Sequence, residues 1–125
     1  MFQMMKFLIL VKVILGEGWH RDFHHTAFDF FSPPDFKIRI GIAGVPADKV
    51  VKDTATIDDD WLPVWNEEFK FQLRVPELVV LWIKILESDP GSSDFGGQAC
   101  LPVSELRTGI RAVPLHDKKG INTTM

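Results

Sequence analysis

The chain has 125 residues, of which 46% are hydrophobic and 25% are charged, values typical of one soluble globular domain. Its formal net charge is −3, which argues against a general nucleic-acid-binding protein because such proteins usually carry a basic excess. Cys100 is the only cysteine, so the chain can form neither an intrachain disulfide nor a cysteine-rich zinc site. A reducing, cytoplasmic setting is therefore expected.

The first predicted strand, Phe7–Leu15, is apolar and rich in β-branched residues, and Gly16 ends it. Its uninterrupted apolar part, Phe7–Val11, is much shorter than the stretch of about 20 residues that a membrane-spanning helix needs. No small-residue cleavage site follows it. A buried strand therefore explains this segment better than a secretory signal peptide does.

Two later segments, Lys37–Val45 and Glu67–Leu73, alternate strictly between apolar and polar residues, as half-buried strands do. Their predicted core faces carry Ile38, Ile40 and Ile42 in the first segment and Phe69, Phe71 and Leu73 in the second. A weaker strand pattern covers Val50–Ile57, and Val79–Leu86 is a candidate buried strand. Short strands are predicted at Gln98–Leu101 and Ile110–Leu115, and one helical turn is predicted near Ser104. Short strands separated by turn-rich loops predict an all-β fold, an antiparallel sandwich or barrel.

Acidic residues are concentrated in every second loop. If each strand runs antiparallel to the one before it, the first, third and fifth loops emerge at the same end of the fold. These three loops carry Asp29 and Asp35, then Asp58, Asp59 and Asp60, then Glu87, Asp89 and Asp94. The even loops, "PADK" and "RVPE", are far less acidic. Carboxylates gathered at one end repel one another unless a cation lies between them.

Calcium is the cation that such loops suit, since it takes six to eight oxygen ligands in irregular geometry. The candidate ligands are Asp29, Asp35, Glu87, Asp89 and Asp94. Two calcium ions would change the charge of these five carboxylates from −5 to about −1 and leave coordination positions for lipid phosphate oxygens. The alternative is that these acids only cap turns and stay hydrated.

The acidic loops also lie in a sequence context that resembles the C2 domain family. The segment Asp29–Phe36, with two aspartates six residues apart, resembles the first acidic loop of a C2 domain. "LPVWNEEF", at Leu62–Phe69, resembles the C2 segment that leads into a strand. The segment Glu87–Asp94, followed by "FGG", resembles the third calcium loop.

More narrowly, the chain resembles the C2 domain of plant phosphoinositide-specific phospholipase C. The resemblance is carried, in chain order, by "GEGW", "SPPDF", "GVPAD", "PVWNEEFKF", "VPEL" and "DFGGQACLPVSELRTGIRAVPLHDKKG". It covers roughly Val11 to Gly120. The domain organisation expected from it is a divergent segment at 1–10, a C2 domain at 11–120 and a tail at 121–125.

The resemblance implies an antiparallel two-layer β-sandwich of C2 type, calcium as cofactor and an anionic phospholipid membrane as partner. The family hydrolyses phosphatidylinositol bisphosphate to diacylglycerol and inositol trisphosphate, in phosphoinositide and calcium signalling, from the cytoplasmic face of the plasma membrane. Its catalytic barrel, the partner of the C2 domain in a full-length relative, would lie before this chain. We therefore expect the chain alone to be non-catalytic, and no nucleic acid to bind.

The chain departs from the family pattern in two places. The family's C2 domain continues past "DKKG" to a final apolar strand, whereas "INTTM" follows here, so we expect an open sheet edge and marginal stability. The third acidic loop is one residue shorter than usual, and Ser88 stands where the family tends to have an aromatic residue. These differences concern the calcium affinity of the loop and not its ligand types.

Two further groups of residues suit a membrane surface. Phe30, Phe31 and Trp61 are candidate membrane contacts, although the phenylalanines could instead fold back into the core. A candidate patch for phosphoinositide headgroups consists of Lys37, Arg39, Lys70 and Arg74, for which solvated strand faces are the alternative.

Two other hypotheses remain open at this point. A zinc site at "WHRDFHH" would use His20, His24 and His25, although exposed loop histidines explain the pattern as well. The second hypothesis is a calcium-independent C2 module for protein interaction or structure, or the product of a truncated gene.

Overall fold

Six β-strands form the body of the computed structural model, which describes residues 7–16, 35–89 and 92–116. They are β1 (Phe7–Leu15), β2 (Phe36–Ala43), β3 (Val50–Asp53), β4 (Val64–Leu73), β5 (Val80–Asp89) and β6 (Ser92–Pro102). Within those ranges, single-turn 3-10 helices lie at Pro46–Asp48, Pro76–Leu78 and Val103–Glu105. The last of these turns contains Ser104, as predicted.

The strands form two antiparallel sheets that face each other. One sheet contains β1 and β4, and the other has the strand order β3-β2-β5-β6. Apolar side chains from both sheets make a single core between them. The predicted antiparallel two-layer β-sandwich is therefore confirmed.

The core faces of β2 and β4 are the ones that the alternating patterns predict. Buried side chains on these strands are Phe36, Ile38, Ile40 and Ile42 on β2 and Trp65, Phe69, Phe71 and Leu73 on β4. Between the buried residues of β4, the polar residues Glu68, Lys70 and Gln72 are exposed. Since successive side chains of a strand point to opposite faces, the sequence period of two fixes which face each residue occupies.

The hairpin of β5 and β6 is longer than predicted. Both strands continue towards the turn, so that Glu87 pairs with Asp94 and Asp89 pairs with Ser92. The Gly, Ser and Asp residues of "ESDPGSSDFGG" indicated a loop, but the backbone ladder extends through most of this segment. A register shift between Ile85 and Leu86 leaves an extra residue on β6, and Gly97, with φ of 151°, provides the conformation that such a bulge needs.

The second half of one predicted strand is missing. The strand predicted at Val50–Ile57 ends at Asp53, because the hydroxyl of Thr54 replaces a backbone carbonyl as the acceptor for the N–H of Ile38, at 2.9 Å. Ile57 then forms an isolated bridge to β2.

The segment Ile110–Leu115 was wrongly predicted as a strand. Only the next residue, His116, pairs with the four-stranded sheet, through an isolated bridge to Gln98. Pro114 has no N–H to donate to a ladder, and Ile110 is 85% exposed. Leu115 nevertheless packs in the core, so the segment closes the sandwich without regular strand pairing.

The even-numbered loops meet at the end of the sandwich that carries few acids. Asp48 is buried there, and its two carboxylate oxygens accept the backbone N–H groups of Arg74 and Val75, at 2.9 and 3.1 Å. This carboxylate connects "PADK" to "RVPE", which lie far apart in sequence. The expected alternation of loop ends is therefore present in the structure.

β1 is an edge strand within the part of the chain that the structure describes. There it pairs with β4 and with no other strand, and on its outer face Leu8 and Leu10 are each 56% exposed. The expected open sheet edge and marginal stability stay predictions. Among the same described residues, no helix is long and apolar enough to cross a membrane.

Candidate functional site

Three acidic segments meet at one end of the sandwich, here called the acidic end: the start of β2, the loop 58–62 and the β5–β6 hairpin. Asp35 directly precedes Phe36, the first residue of β2. Phe36 pairs with Glu87 on β5, and Glu87 pairs in turn with Asp94 on β6. The structure thus brings these positions together, as the alternation of strand directions predicts.

Within the acidic end, hydrogen bonds attach the loop 58–62 to the start of β2. The N–H of Asp59 donates to Oδ1 of Asp35 at 2.7 Å. Just before it, Ile57 and Phe36 exchange two backbone hydrogen bonds of 2.9 and 3.1 Å. Asp59 adopts the left-handed region, with φ of 51°, which aspartate tolerates better than most residues. Asp35 is therefore held from two sides, by its own strand and by this loop.

Glu87 occupies a different environment from the exposed loop ligand that the sequence predicts. It lies on β5, on the same face as the core residues Leu81 and Ile85, and only 3% of its surface is exposed. For Asp89 and Asp94 the structure gives the backbone, which places them on facing strands, and does not describe their side chains. The hairpin therefore supplies acids from strand ends and not from a free loop.

Several predicted functional residues lie outside the described residues. They are Asp29, Phe30 and Phe31 of the first acidic loop and the three clustered histidines His20, His24 and His25. Within residues 7–16, 35–89 and 92–116, no group of three or more His, Cys, Asp or Glu side chains is arranged to hold a metal ion. Of the five predicted calcium ligands, Asp35 and Glu87 are the two with described side chains, and both offer the carboxylate oxygens that calcium prefers.

Trp61, predicted as a membrane contact, is half-buried at the acidic end. Its ring packs edge-on against Phe36, with 6.4 Å between the ring centroids. The next residue, Leu62, is 55% exposed, and its N–H donates to Oδ1 of Asp60 at 2.8 Å. Trp61 thus links the loop to the core, whereas Leu62 presents apolar surface to solvent.

Exposed aliphatic residues beside this loop were missed by the sequence analysis. Leu15 of β1 pairs with Val64 of β4, and about half of each side chain is exposed. A backbone hydrogen bond from Gly16 to the carbonyl of Pro63, 3.0 Å long, holds the loop beside β1. Together with Leu62, these residues add an apolar border to the acidic end. The apolar residues on both sides of Pro63 were the available signal.

Lys37 and Arg39 lie on the outer face of the four-stranded sheet, alternating with the buried isoleucines of β2. Nε and Nη2 of Arg39 donate to the two carboxylate oxygens of Asp53 on β3, at 2.9 and 3.2 Å. Nζ of Lys37 lies 3.4 Å from the same carboxylate. The hydrogen bond from Arg39 holds the pKa of Asp53 below its ordinary value and raises the pKa of Arg39 in return.

The other two residues of the predicted basic patch lie elsewhere. Lys70 alternates with the buried phenylalanines of β4, so its side chain lies on the outer face of the two-stranded sheet. Arg74 follows β4 at the end opposite to the acidic end. Because the outer faces of the two sheets of a sandwich point in opposite directions, the four residues do not form one patch.

Two residues of β5, Trp82 and Lys84, lie beside Arg39 on the outer face instead. Lys84 lies opposite Arg39 in the ladder, and Trp82 lies opposite Gly41. The Trp82 ring covers Gly41 so closely that a Cβ atom there would lie 2.2 Å from the ring, which requires glycine. Nζ of Lys84 lies 5.3 Å from the centroid of the same ring.

We call these residues the outer-sheet patch: Lys37, Arg39, Trp82 and Lys84. A shallow cavity of about 240 Å³ adjoins it, lined in part by Ala43, Val80, Gln98 and Cys100. The signal that could have identified Trp82 and Lys84 is their alternation with Leu81, Ile83 and Ile85.

The fold is that of a C2 domain. The C2 domain family matches residues 8–118, and the chain belongs to this family. The resemblance to plant phosphoinositide phospholipase C is also confirmed. The chain is 59% identical over 111 residues to phosphoinositide phospholipase C 6 and 56% identical over 117 residues to phosphoinositide phospholipase C 7, both of Arabidopsis thaliana. These matches cover 88% and 93% of this chain but 18% and 20% of the relatives, so the chain spans about a fifth of their length.

Solved structures show the same fold at lower sequence identity. A C2 domain of plant Extended Synaptotagmin 1 has a TM-score of 0.74, with 22% identity over 93% of this chain and 86% of that one. Human GIVD cytosolic phospholipase A2 has a TM-score of 0.67, with 23% identity over 82% of this chain and 13% of that one. At these identities the likeness establishes the C2 sandwich and nothing further.

Proposed function

We propose that the chain is a calcium-dependent phospholipid-binding module that attaches to membranes through its acidic end. The observation that carries this proposal is the meeting of three acidic positions: Asp35 directly precedes Phe36, which pairs with Glu87, and Glu87 pairs with Asp94. Asp59 is hydrogen-bonded to Asp35 as well. These segments are far apart in sequence and are brought together by the fold. The arrangement supplies only hard oxygen donors, which suit calcium.

In this proposal, calcium is held by Asp35 and Glu87 together with Asp29, Asp89 and Asp94. The bound ion supplies positive charge and open coordination positions for phosphate oxygens of the lipid. Without it, the carboxylates repel the anionic membrane surface. The support that Asp35 receives from the loop 58–62 would keep its carboxylate oriented when calcium arrives or leaves.

Apolar residues around the acidic end would then contact the bilayer. Leu62 is the described residue best placed for this role, since it is exposed and follows the half-buried Trp61. Phe30 and Phe31 of the first acidic loop are proposed to act in the same way. Fully burying one such side chain is worth about 1.5–3 kcal/mol.

A second contact is proposed at the outer-sheet patch. Lys37, Arg39 and Lys84 would bind phosphate groups of phosphoinositide headgroups, and the Trp82 ring would support the inositol ring. The register supports this assignment, because it places Lys84 directly across from Arg39. Lys70 and Arg74, on other surfaces, are omitted from the contact.

Vesicle co-sedimentation across a calcium titration tests the proposal. We expect the wild-type chain to sediment with anionic vesicles only when calcium is present. Asp35→Asn should raise the calcium concentration for half-maximal binding by roughly tenfold, the equivalent of about 1.4 kcal/mol. Phe31→Ala should keep the calcium response but weaken retention at high salt, where electrostatic attraction is screened.

Glu68→Gln is the matched control, because it removes one negative charge from the exposed face of β4, away from the acidic end. It should behave like the wild type in the calcium titration. Equal sedimentation of the wild type with calcium and with chelator would contradict the proposal.

In a longer protein, the module is proposed to bring a catalytic domain to the membrane from the cytoplasmic side. The relatives are named phosphoinositide phospholipases C, so the reaction served would be hydrolysis of phosphatidylinositol bisphosphate to diacylglycerol and inositol trisphosphate. The 125-residue chain alone should release no inositol trisphosphate above a matched blank.

A calcium-independent interaction module is the second candidate function. It is favoured by the outer face of β1, where Leu8 and Leu10 expose apolar surface away from the acidic end. Exposed apolar patches of this kind are typical of protein contacts. This candidate takes first place if the chain fails to respond to calcium.

A further inference from the structure

Asp53 places a negative charge inside the outer-sheet patch. Its carboxylate receives two hydrogen bonds from Arg39 and lies within 3.4 Å of the Lys37 ammonium group. Side by side, the two cations already bind an anion that belongs to the chain itself. About a third of the Asp53 side chain is exposed, so this anion lies at the surface and not in the core.

We infer that Asp53 is an internal competitor for anions at the outer-sheet patch and makes the patch select phosphomonoesters over phosphodiesters. The inference rests on the headgroup binding proposed above. It concerns which phosphate groups bind there and not whether calcium acts at the acidic end.

The selection follows from charge. A phosphodiester and a carboxylate each carry one negative charge, so exchanging one for the other at Arg39 and Lys37 brings little gain. A phosphomonoester carries about −1.5 to −2 charges at neutral pH and has three strong acceptor oxygens. It can therefore displace the carboxylate. The diester has the same charge as the carboxylate but, unlike Asp53, is not already held next to Arg39 by the chain, so it does not displace it.

The geometry allows the displacement. β3 is an edge strand of its sheet, so a displaced Asp53 side chain can turn into solvent beside it. Ion pairs that are partly exposed contribute little to stability, which keeps the exchange accessible. On the other side of Arg39, Lys84 lies opposite it in the ladder and provides the additional positive charge that a dianionic group needs. The planar guanidinium binds carboxylate and phosphate oxygens in the same two-pronged manner.

Vesicle binding in the presence of chelator tests this inference, because the acidic end then makes no calcium-mediated contribution. The probes are phosphatidylcholine vesicles that contain either phosphatidylinositol 4-phosphate, which has a monoester, or phosphatidylinositol, which has only a diester. We expect the wild type to prefer the monoester. Asp53→Asn should bind the diester vesicles roughly three- to tenfold more tightly and thus reduce the preference.

Two variants control for charge and for side-chain type. Glu68→Gln makes the same change in net charge on the other sheet and should preserve the preference. Asp53→Glu retains a carboxylate and should preserve most of it. An unchanged preference in Asp53→Asn, or an equal loss in Glu68→Gln, would overturn the inference while leaving headgroup binding in place.

Soluble ligands separate the phosphate group from the lipid surface. Inositol trisphosphate should release the wild-type chain from the vesicles, whereas glycerophosphoinositol, a diester, should not. Equal release by both ligands would overturn the selection. If neither the wild type nor Asp53→Asn binds any vesicle, headgroup binding itself fails, and the inference fails with it. Binding by Asp53→Asn alone would overturn the selection, because the wild type would then bind no phosphomonoester either.

Discussion

The buried carboxylate of Asp48 has a structural role in this sandwich. Asp48 is 1% exposed, and burying such a group is costly unless it is hydrogen-bonded. The N–H groups of Arg74 and Val75 provide those bonds and receive an acceptor in return. The residue therefore fixes the end of the sandwich that does not carry the proposed calcium site.

Replacing Asp48 with alanine should lower the free energy of unfolding by about 1–3 kcal/mol, because two backbone N–H groups lose their acceptor. Urea denaturation measures the effect as a lower midpoint at an unchanged slope. Asp48→Asn, which keeps one acceptor, should lie between alanine and the wild type. Glu77→Ala, an exposed acid in the neighbouring turn, should change the stability by less than about 0.5 kcal/mol. Equal midpoints for the two alanine variants would contradict this role.

At the scale of the elements, the contact between β2 and β3 is partly electrostatic. Four residue pairs form the ladder, and Arg39 pairs directly with Asp53. The hydrogen bond from Arg39 lowers the pKa of Asp53, so the folded state binds this proton less readily than the unfolded chain does. The corresponding stability is therefore present above the ordinary carboxyl pKa and is lost as the pH falls through the lowered value.

A pH series of unfolding measurements on the wild type and Asp53→Asn tests this reasoning. The wild type should have a small advantage that is constant above about pH 5 and shrinks as the pH falls below about 4, the ordinary range of an aspartate. The advantage should be modest because solvent screens a partly exposed pair. An advantage that grows with acidification would contradict the assignment. The raised pKa of Arg39 lies far above this range and adds no pH dependence within it.

The strand β1 presents an apolar outer face that favours association with other protein chains. Leu8 and Leu10 lie opposite Gln72 and Lys70, so the neighbouring strand has an ordinary polar face. A long apolar edge strand invites pairing with other chains. Lys12 is the single charge within β1 that opposes it.

Leu8→Thr combined with Leu10→Thr should reduce aggregation, measured by light scattering during heating, since threonine suits strands and is polar. The stability should change by less than about 1 kcal/mol per site, because more than half of each leucine is already exposed. Ile9→Thr is the control on the opposite face, where the side chain packs against the core, and it should destabilise clearly. Unchanged scattering in the double variant would exclude β1 as the cause of aggregation.

For the whole molecule, calcium should act as a stabilising ligand. A ligand that binds only the folded state raises its stability, by about 2.7 kcal/mol at a hundredfold excess over the dissociation constant. Thermal unfolding of the wild type should therefore shift upward with calcium, less with magnesium, and not at all with chelator. Asp35→Asn should lose most of the shift. Identical melting in all three conditions would favour the calcium-independent module.

The sequence predicts the sandwich well where apolar and polar residues alternate. The isoleucines of β2 and the phenylalanines of β4 fix the core faces, and the alternation of loops brings Asp35 near Glu87. Polar strands are harder to recognise, because the Gly, Ser and Asp residues of the β5–β6 hairpin are also typical of loops. The ladder between neighbouring strands, which a single sequence does not display, decides the outcome there.

The sequence reveals only part of the candidate site, since alternation places Trp82 and Lys84 on the outer face of β5 but does not place them beside Arg39. Trp82 and Lys84 join Arg39 only through strand register, which depends on how the sheets assemble. Lys70 has the same chemistry as Lys37, and only the assignment of strands to two sheets separates them. The burial of Glu87 likewise reflects the face of β5 on which it lies.

Phe36 has a place in both the core and the acidic end, and this shared position has a consequence for hydrogen exchange. The residue is fully buried, it pairs with Ile57 and Glu87, and its ring contacts Trp61. Opening the acidic end must therefore break the backbone bonds between Phe36 and Ile57 and disturb the interior at the same time. A ligand held by the carboxylates on either side would slow the exchange of these two amide protons with solvent, so that binding at the acidic end is detected by two backbone amides that border the core.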